Sequence, residues 1–328
     1  MRKFIILISC LFYLSCQPQP QDNKTTVLAS WHDGKAKQAI IDFVSAVSQP
    51  GQHFVEPSAR IAVFDNDGTL WAEQPMYFQL LFALDEIEAR KAQHPEWQQK
   101  EPFKSVLNKD WPAVINDTAA IATIMTETHT DMSVIAYQDR VSKWLVSAKH
   151  PVKQKPILTM VYQPMLELLD YLRSKQFTIY IVSGGGTDFI RVWSKDVYGI
   201  PAQQVIGSRF KKSFKLEGER VFIQRQPGLA FLNDKQNKPI AIDEVIGQRP
   251  ILAVGNSDGD LPMLQYTAAS KRKNLSVYLH HTDAVREWAY DRQSPIGRLD
   301  QGLDLAEENN WVIIDMKADW KTIFKVED

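Results

Sequence analysis

Short apolar runs alternate with amphipathic stretches along most of this chain. Three apolar runs have the length of buried strands and end in polar turns: 61–64, 177–182 and 251–254. Residues 205–206 and a hairpin-like stretch at 210–223 add strand character. Apolar positions at helical spacing predict helices at 36–47, 164–175, 189–198 and 239–246. Strands that alternate with helices form a parallel sheet covered on both faces, so the pattern predicts the α/β class.

One long block between the first two predicted strands lacks strand-like runs. Its amphipathic stretches predict helices at 78–91, 111–125 and 137–148. We therefore expect residues 72–160 to form a helical domain that is inserted into a core built from residues 31–71 and 161–328.

The first 15 residues have the pattern of an export signal. Two basic residues precede an apolar run that is too short to span a bilayer. The following Tyr13-Leu14-Ser15-Cys16 resembles the bacterial lipobox, which implies cleavage before Cys16 and a diacylglycerol group on its sulfur. Residues 16–30 would then form a polar, lipidated tether.

This leader also predicts the location of the protein. With Gln17 rather than Asp after Cys16, the lipoprotein sorting rule of a Gram-negative host favours the outer membrane, on its periplasmic side. A plain secretory peptide that releases a soluble periplasmic protein is the alternative. Both cysteines, Cys10 and Cys16, precede the body of the chain, so we expect no internal disulfide in the exported domain.

Composition and charge narrow the choice of partners. With 328 residues, 44% of them hydrophobic, the chain is long enough to bury a sizeable core. The formal net charge of −1 gives no electrostatic reason to expect a nucleic acid as partner. After the leader, no apolar run approaches the ~20 residues of a membrane helix, so we expect membrane contact only through the lipid anchor. The oligomeric state stays open.

Polar clusters follow the three predicted strands. Asp65-Asn66-Asp67 follows the first strand, Ser183-Gly184 follows the second, and the stretch 255–260 (GNSDGD) follows the third. Each cluster alone is ordinary turn chemistry. Because ligands of open parallel sheets bind beyond the carboxyl ends of the strands, the three clusters together predict one binding site.

These clusters resemble the motifs of the haloacid dehalogenase superfamily, on its phosphatase branch. Residues 64–70 match a strand end followed by D-x-D-G-T-L, Ser183 matches the Ser or Thr that ends a second strand, and 254–261 match the acidic motif after a third. The surrounding segments look like a bacterial exported subgroup similar to phosphoserine phosphatases. The resemblance implies a Rossmann-like, doubly wound parallel sheet, with residues 72–160 as a C1-type cap.

The resemblance implies hydrolysis of phosphate monoesters through an aspartyl-phosphate. Asp65 would be the nucleophile, and Asp67 the general acid and base. Asp67 must hold a proton part of the time, which requires a raised pKa. An acid at this position separates phosphatases from dehalogenases and P-type ATPases.

The phosphate-binding residues follow from the other two motifs. Ser183 and the amides of Gly184 and Gly185 would hold phosphate oxygens, because glycine lets the backbone approach closely. Lys238, at a predicted helix start, is the best candidate for the lysine of the family, with Lys235 as the alternative.

The resemblance further implies Mg²⁺ as the cofactor, held by Asp65, Asp67, Asn256 and Asp260, with Asp67 contributing its backbone carbonyl. Asn256 departs from the family pattern, which has Asp there. An amide oxygen can ligate Mg²⁺, but one formal negative charge is missing. We expect weaker metal binding, or a transfer of the ligand role to Asp260 or Asp258. Asp260 otherwise matches the second acidic residue of the family motif, which supports the metal ligands without binding the metal itself.

The residues that select the substrate are expected where the cap meets the core. Glu73 lies just after the first motif and could read the amino group of a phosphoserine-like substrate. Nine tryptophans leave room for an aromatic cage around a quaternary ammonium such as phosphocholine. His280 and His281 follow an apolar run, which could place one of them at the rim of the site. Without a third ligand they do not make a zinc site, and we expect them to be solvated at the surface.

Three functions are therefore compatible with the sequence. Mg²⁺-dependent hydrolysis of small organic phosphates is the expected one. Transfer of the phosphoryl group to an alcohol would make the protein a phosphotransferase. An anion-binding lipoprotein without turnover is the non-enzymatic alternative; Asn256 favours it, and the Asp65–Asp67 pair argues against it.

Overall fold

The computed structural model describes residues 27–324, so Cys16 and the export signal lie outside the described residues. The strands are β1 (Ile61–Phe64), β2 (Thr178–Gly186), β3 (Val205–Glu217), β4 (Arg220–Phe231), β5 (Leu252–Gly255), β6 (Leu275–Thr282), β7 (Ala289–Tyr290) and β8 (Val312–Asp315). The helices are α1 (Lys35–Ser48), α2 (Phe78–Arg90), α3 (Phe103–Leu107), α4 (Trp111–Ile115), α5 (Thr118–His129), α6 (Val134–Ser147), α7 (Gln163–Ser174), α8 (Thr187–Ile190), α9 (Ser194–Tyr198), α10 (Asn237–Ile246), α11 (Leu261–Ala268), α12 (Gln301–Glu308) and α13 (Met316–Asp319). No helix in this part of the chain has the length and apolarity needed to cross a membrane.

The strands form one mostly parallel sheet with β1 at its centre. The order is β4-β3-β2-β1-β5-β6-β7, and β8 also pairs with β6. Strand β1 is parallel to both neighbours, with Phe64 opposite Ile181 of β2 and Val254 of β5. Only β4 and β7 run antiparallel to their partners. The α/β prediction is confirmed, and the carboxyl ends of β1, β2 and β5 meet at one edge of the sheet.

Both faces of the sheet are covered, which explains why β1 is apolar at every position. Ala62 and Phe64 face the cluster that includes residues of α1 and α7. Ile61 and Val63 face the opposite cluster, with residues of α10, α11 and α12. Burial of a large apolar side chain contributes about 1.5–3 kcal/mol to the stability of the fold. Packing on both faces therefore holds β1 in a fixed position, and with it the polar turn that follows the strand.

The helices between β1 and β2 have a core of their own. Helices α2 to α5 contribute buried residues such as Leu84, Phe103 and Ile124 to a separate apolar cluster. The prediction of a single helix at 111–125 is wrong, because the helix is interrupted between α4 and α5. Asp117 caps α5 by accepting from the N–H groups of Ala119 (2.8 Å) and Ala120 (3.2 Å). An aspartate N-cap satisfies helix-end donors, so it starts a new helix here.

The hairpin of β3 and β4 is longer than its predicted extent and ties the helical block to the core through Arg225. This side chain is 2% exposed. Its Nε donates to the carbonyl of His129 (2.5 Å), and its guanidinium pairs with Asp188 and lies 4.0 Å from the centre of the Tyr137 ring. Arg225 therefore joins the hairpin, the end of α5 and the start of α8.

The variant Arg225→Met is expected to lower the free energy of unfolding by about 3–5 kcal/mol, because loss of one partner leaves a buried charge poorly compensated. Only Lys212, at 2.8 Å, would then pair with Asp188. Urea denaturation measures the change. Arg209→Met is the matched control, since Arg209 lies over the Phe231 ring of the same hairpin (4.9 Å). Equal effects of the two substitutions would contradict a special role for Arg225.

Candidate active site

The first motif is a tight turn that leaves β1 and presents Asp65. The Asp65 N–H donates to the carbonyl of Val254 (2.9 Å), which ties the turn to β5. Gly68 has a φ of +73°, and a Cβ there would collide with the side chains of Asn256 and Glu73. Glycine is therefore required both by the backbone and by the close approach of the neighbouring side chains.

Lys238 is the lysine that reaches Asp65. It is the second residue of α10 and is 2% exposed. Its Nζ donates to Asp65 Oδ1 (2.7 Å), Asp260 Oδ1 (2.5 Å) and the Val182 carbonyl (3.0 Å), so all three N–H bonds of the ammonium are used. Lys235, the alternative from the sequence, is exposed and lines a cleft beside the third motif.

The charges of this pair depend on each other. Burial opposes the charged ammonium, but the carboxylates of Asp260 and Asp65 raise the pKa of Lys238 above its ordinary value. Burial and the negative charge of Asp260 raise the pKa of Asp65, while Lys238 opposes that rise. Lys238 is therefore charged at neutral pH and favours the ionised form of Asp65, which is the form that can attack phosphorus.

Asp260, one of the candidate metal ligands, holds Lys238 in this structure. It is fully buried, and its second oxygen accepts from the N–H groups of Asn256 (3.0 Å) and Ser257 (3.1 Å). Asp258 is also occupied, because its carboxylate accepts from backbone N–H groups at the start of α12. In this structure both carboxylates are occupied by hydrogen bonds, and a ligand role for either stays a prediction.

Asp67 lies on the same turn, half-buried, with its carboxyl group beside the end of β2. Its Oδ1 accepts from the Trp71 indole N–H (2.8 Å), and Ser183 Oγ is 3.5 Å from its Oδ2. Burial raises the pKa of Asp67, and the hydrogen bond from Trp71 partly opposes this. The direction is the one that a general acid requires.

The last four residues of β2 present backbone next to Asp67. Ser183 is fully buried, and its Oγ accepts from the N–H of Gly185 (2.9 Å), whereas Gly184 is exposed. Asn233 donates to the Ser183 carbonyl (3.0 Å) and Gln79 of α2 accepts from the Gly186 N–H (2.7 Å). Side chains from two distant segments thus hold this end of β2 in place.

Glu73 packs against the third motif. It is 2% exposed, and its Oε1 accepts from Asn256 Nδ2 (2.7 Å) and from the Tyr290 hydroxyl (2.8 Å). Thr69 Oγ1 donates to Asn256 Oδ1 (3.0 Å). Burial raises the pKa of Glu73 well above its usual range. Glu73 is therefore buried in this structure, and its Oε1 already accepts two hydrogen bonds. Its expected role in binding the amino group of a substrate stays a prediction.

The surface position expected for His281 is wrong. The ring is 2% exposed; its Nε2 is 2.7 Å from the Gly68 carbonyl and its Nδ1 is 3.1 Å from Glu287 Oε2. Glu287 also accepts from the Tyr162 hydroxyl (3.1 Å). His281 thus supports the turn of the first motif through the Gly68 carbonyl. In the sequence, the apolar run before His281 is the feature that indicates burial at this position.

The positions that match the superfamily motifs therefore lie together at one end of the sheet. A model of the haloacid dehalogenase-like hydrolases matches residues 62–265, which is more than half of the chain. The chain belongs to this family. Among curated proteins, no relative matches its sequence significantly.

Several solved structures are similar to this hydrolase. A conserved, functionally unknown protein from Anaerococcus prevotii DSM 20548 is 15% identical with a TM-score of 0.52, and the match covers 87% of this chain and 94% of that one. A protein of unknown function from Bordetella pertussis Tohama I is 11% identical (TM-score 0.48; 78% and 98% covered). A phosphoserine phosphohydrolase-like protein from Francisella tularensis is 16% identical (TM-score 0.35; 67% and 87% covered). At these identities the likeness concerns the fold alone.

The donor groups of this haloacid dehalogenase-like hydrolase fit Mg²⁺. Within residues 27–324, no three His, Cys, Asp or Glu side chains are arranged as a metal site. Mg²⁺ does not need such a cluster, because it binds few protein oxygens and keeps several waters. The Asp65 carboxylate, the Asp67 carbonyl and the Asn256 amide oxygen are suitable donors. Besides burial, the charges of Asp260 and Asp67 raise the pKa of Asp65 against the opposing effect of Lys238, and the charge of Asp67 raises the pKa of Glu73.

Proposed function

We propose that this hydrolase is a Mg²⁺-dependent phosphatase that acts on small phosphate monoesters through an aspartyl-phosphate at Asp65. The convergence of motifs supports this function most directly. Lys238 Nζ lies 2.7 Å from Asp65, and Ser183 Oγ lies 3.5 Å from Asp67. An acid two residues after the nucleophile, with a raised pKa, favours a phosphatase over a dehalogenase or an ion pump.

In the first step, an oxygen of Asp65 attacks phosphorus and the ester P–O bond breaks. Asp67 gives its proton to the leaving alkoxide, so the alcohol departs neutral. Lys238 favours the ionised form of Asp65 and holds its carboxyl group in place. Mg²⁺ held by Asp65, the Asp67 carbonyl and Asn256 would supply positive charge that offsets the repulsion between carboxylate and phosphate.

In the second step, the Asp67 carboxylate removes a proton from water, which then attacks the phosphorus of the aspartyl-phosphate. The bond between phosphorus and Asp65 breaks, and inorganic phosphate and the free carboxylate result. We expect the exposed backbone of Gly184 and the hydroxyl of Ser183 to contact phosphate oxygens during both steps. The same intermediate could pass its phosphoryl group to an alcohol.

The leader extends this proposal to the cell envelope. We propose that the enzyme works outside the cytoplasm, anchored by a lipid on Cys16, and that its substrates are small organic phosphates available there. Phosphoserine-like and phosphocholine-like esters are the first compounds to test. Globomycin treatment and [³H]palmitate labelling of cells producing the native chain or Cys16→Ala would test the anchor.

A panel of phosphomonoesters, with Mg²⁺ or with EDTA, tests the activity. We expect phosphate release that depends on Mg²⁺, and binding of beryllofluoride as a mimic of the aspartyl-phosphate. Added alcohols would reveal phosphotransfer by the appearance of new esters. If no ester is turned over and beryllofluoride does not bind, the anion-binding alternative is favoured instead.

The variant Asp67→Asn is expected to lower kcat for alkyl phosphates by about 10²–10⁴-fold, the usual contribution of general acid–base catalysis. The loss should be much smaller for formation of the phosphoenzyme from 4-nitrophenyl phosphate, because its leaving group departs without a proton. Rapid-quench kinetics separate this step from hydrolysis. Equal losses for both leaving groups in the first step would contradict the assignment of Asp67 as the acid.

A further inference from the structure

The third motif lacks one charge at the place where the resemblance leads us to expect an aspartate. Asn256 is 2% exposed and provides an amide there. Its oxygen accepts from Thr69 Oγ1 (3.0 Å) and has a second lone pair for a cation. Its nitrogen, which can only donate, is turned to Glu73. The amide oxygen is therefore a neutral donor whose direction is set by its neighbours.

Glu73 brings a carboxylate to this amide. The two side chains are joined by the 2.7 Å contact between Oε1 and Nδ2, and both lie against Gly68, the residue that follows the Asp67 carbonyl. With the amide nitrogen bonded to Glu73, the Asn256 oxygen points to the other side of the amide group. Glu73 thus fixes which atom of Asn256 is available to a metal.

The surroundings of Glu73 provide no compensating cation. Its donors among residues 27–324 are neutral groups, the amide of Asn256 and the hydroxyl of Tyr290. Lys238 gives its three N–H bonds to Asp65, Asp260 and a carbonyl. The position of the Glu73 carboxyl group is therefore fixed by hydrogen bonds from an amide and a hydroxyl, not by an ion pair.

We propose that Glu73 fixes the orientation of Asn256, so that the Asn256 amide oxygen takes the place of the missing aspartate of the third motif in binding Mg²⁺. Asn256 offers the ligand oxygen, and Glu73 is a positioning residue that orients and polarises the amide through its hydrogen bond. This inference rests on the proposed metal-dependent function but is tested without substrate.

Mg²⁺ binding to the purified substrate-free protein, measured by calorimetry, tests this arrangement. Glu73→Gln should weaken Mg²⁺ binding about 10–100-fold, the usual effect of changing a group that supports a metal ligand. The double variant Glu73→Gln/Asn256→Asp makes the orienting hydrogen bond unnecessary, because either oxygen of a carboxylate can bind the metal, and should recover an affinity close to that of the native protein. Glu167→Gln is the matched control, because Glu167 is a half-buried carboxylate far along the chain in α7 that accepts from the Ser30 N–H.

Asn256→Asp alone gives a second, independent readout. It places two carboxylates in contact and removes the donor between them, so the melting temperature without Mg²⁺ should fall and its rise on adding Mg²⁺ should be larger than in the native protein. Both effects should disappear when Glu73→Gln is added.

The outcomes separate this inference from the proposed function. If the native protein binds Mg²⁺ and Glu73→Gln binds it equally well, the inference is overturned while the metal-dependent phosphatase stands. The inference is likewise overturned if Glu73→Gln changes only KM for a substrate, which would make Glu73 a substrate-reading residue. If the native protein binds no Mg²⁺, both the inference and the metal dependence fail.

Discussion

Asp65→Asn is expected to lower kcat for phosphate-ester hydrolysis by about 10⁴-fold or more, the scale on which enzymes lose activity when their nucleophile is removed. The neutral amide is a poor nucleophile and cannot form the aspartyl-phosphate. Its oxygen can still accept from Lys238, so the side chain keeps its place beside Asp260. Steady-state release of phosphate from the best ester of the panel measures the loss.

The control for this variant is Asp258→Asn. Asp258 belongs to the same stretch of motif residues, but its carboxylate accepts from backbone N–H groups at the start of α12 rather than facing Asp65. We expect Asp258→Asn to retain most of the activity and to lose some stability. Turnover by Asp65→Asn within tenfold of the native protein, with circular dichroism showing both variants folded, would remove Asp65 as the nucleophile.

Lys238→Met is expected to have two large effects at once. The free energy of unfolding should fall by about 3–5 kcal/mol, because Asp65 and Asp260 would be buried without their shared cation. Turnover should fall by about 10²–10³-fold, because a positive charge that stabilises the transferring phosphoryl group is lost. Urea denaturation and phosphate-release kinetics measure the two effects separately.

A second substitution separates stability from catalysis at this position. Lys238→Met/Asp260→Asn removes one of the two carboxylates that the lysine compensates, so part of the lost stability should return. The activity should stay low, since the cation next to Asp65 is still missing. Full recovery of turnover in the double variant would show that Lys238 serves only to neutralise Asp260.

The parts of the fold that the sequence predicts are those with local signals. The run at 61–64 predicts β1 because it is buried on both sides and therefore apolar throughout. Asp65, Asp67 and Ser183 follow strands directly, so the direction of a parallel sheet is enough to predict their proximity. Lys238 is recognisable because it stands at a helix start, and its side chain crosses to Asp65 from there.

Other features depend on contacts between distant parts of the chain, which leave no local pattern. His281 contacts the first motif, and Tyr290 contacts Glu73 just after it, each from more than 200 residues away. Gln79 reaches the end of β2 from the helical block, and Asn233 reaches it from the segment before α10. A polar residue of this kind has the same sequence environment whether it is buried against a partner or solvated.

The pairing of Glu73 with Asn256 shows the same limit in the active site itself. The sequence predicts that a charge is missing at Asn256, because the position is defined by the motif. It does not predict that the carboxylate of Glu73 lies 2.7 Å away, since the two residues are 183 positions apart. The contact between Asp260 and Lys238 has the same origin, because it forms only when the segment after β5 packs against α10.

Trapping of the phosphoenzyme tests the central claim most directly. The native protein would be mixed with its best substrate, quenched within milliseconds in acid and treated with borohydride, which reduces an aspartyl-phosphate to homoserine. Peptide mass spectrometry should then find homoserine at position 65 in the native protein and not in Asp65→Asn. A protein that turns over phosphate esters without modification at position 65, or with phosphate attached to a different residue, would contradict the account.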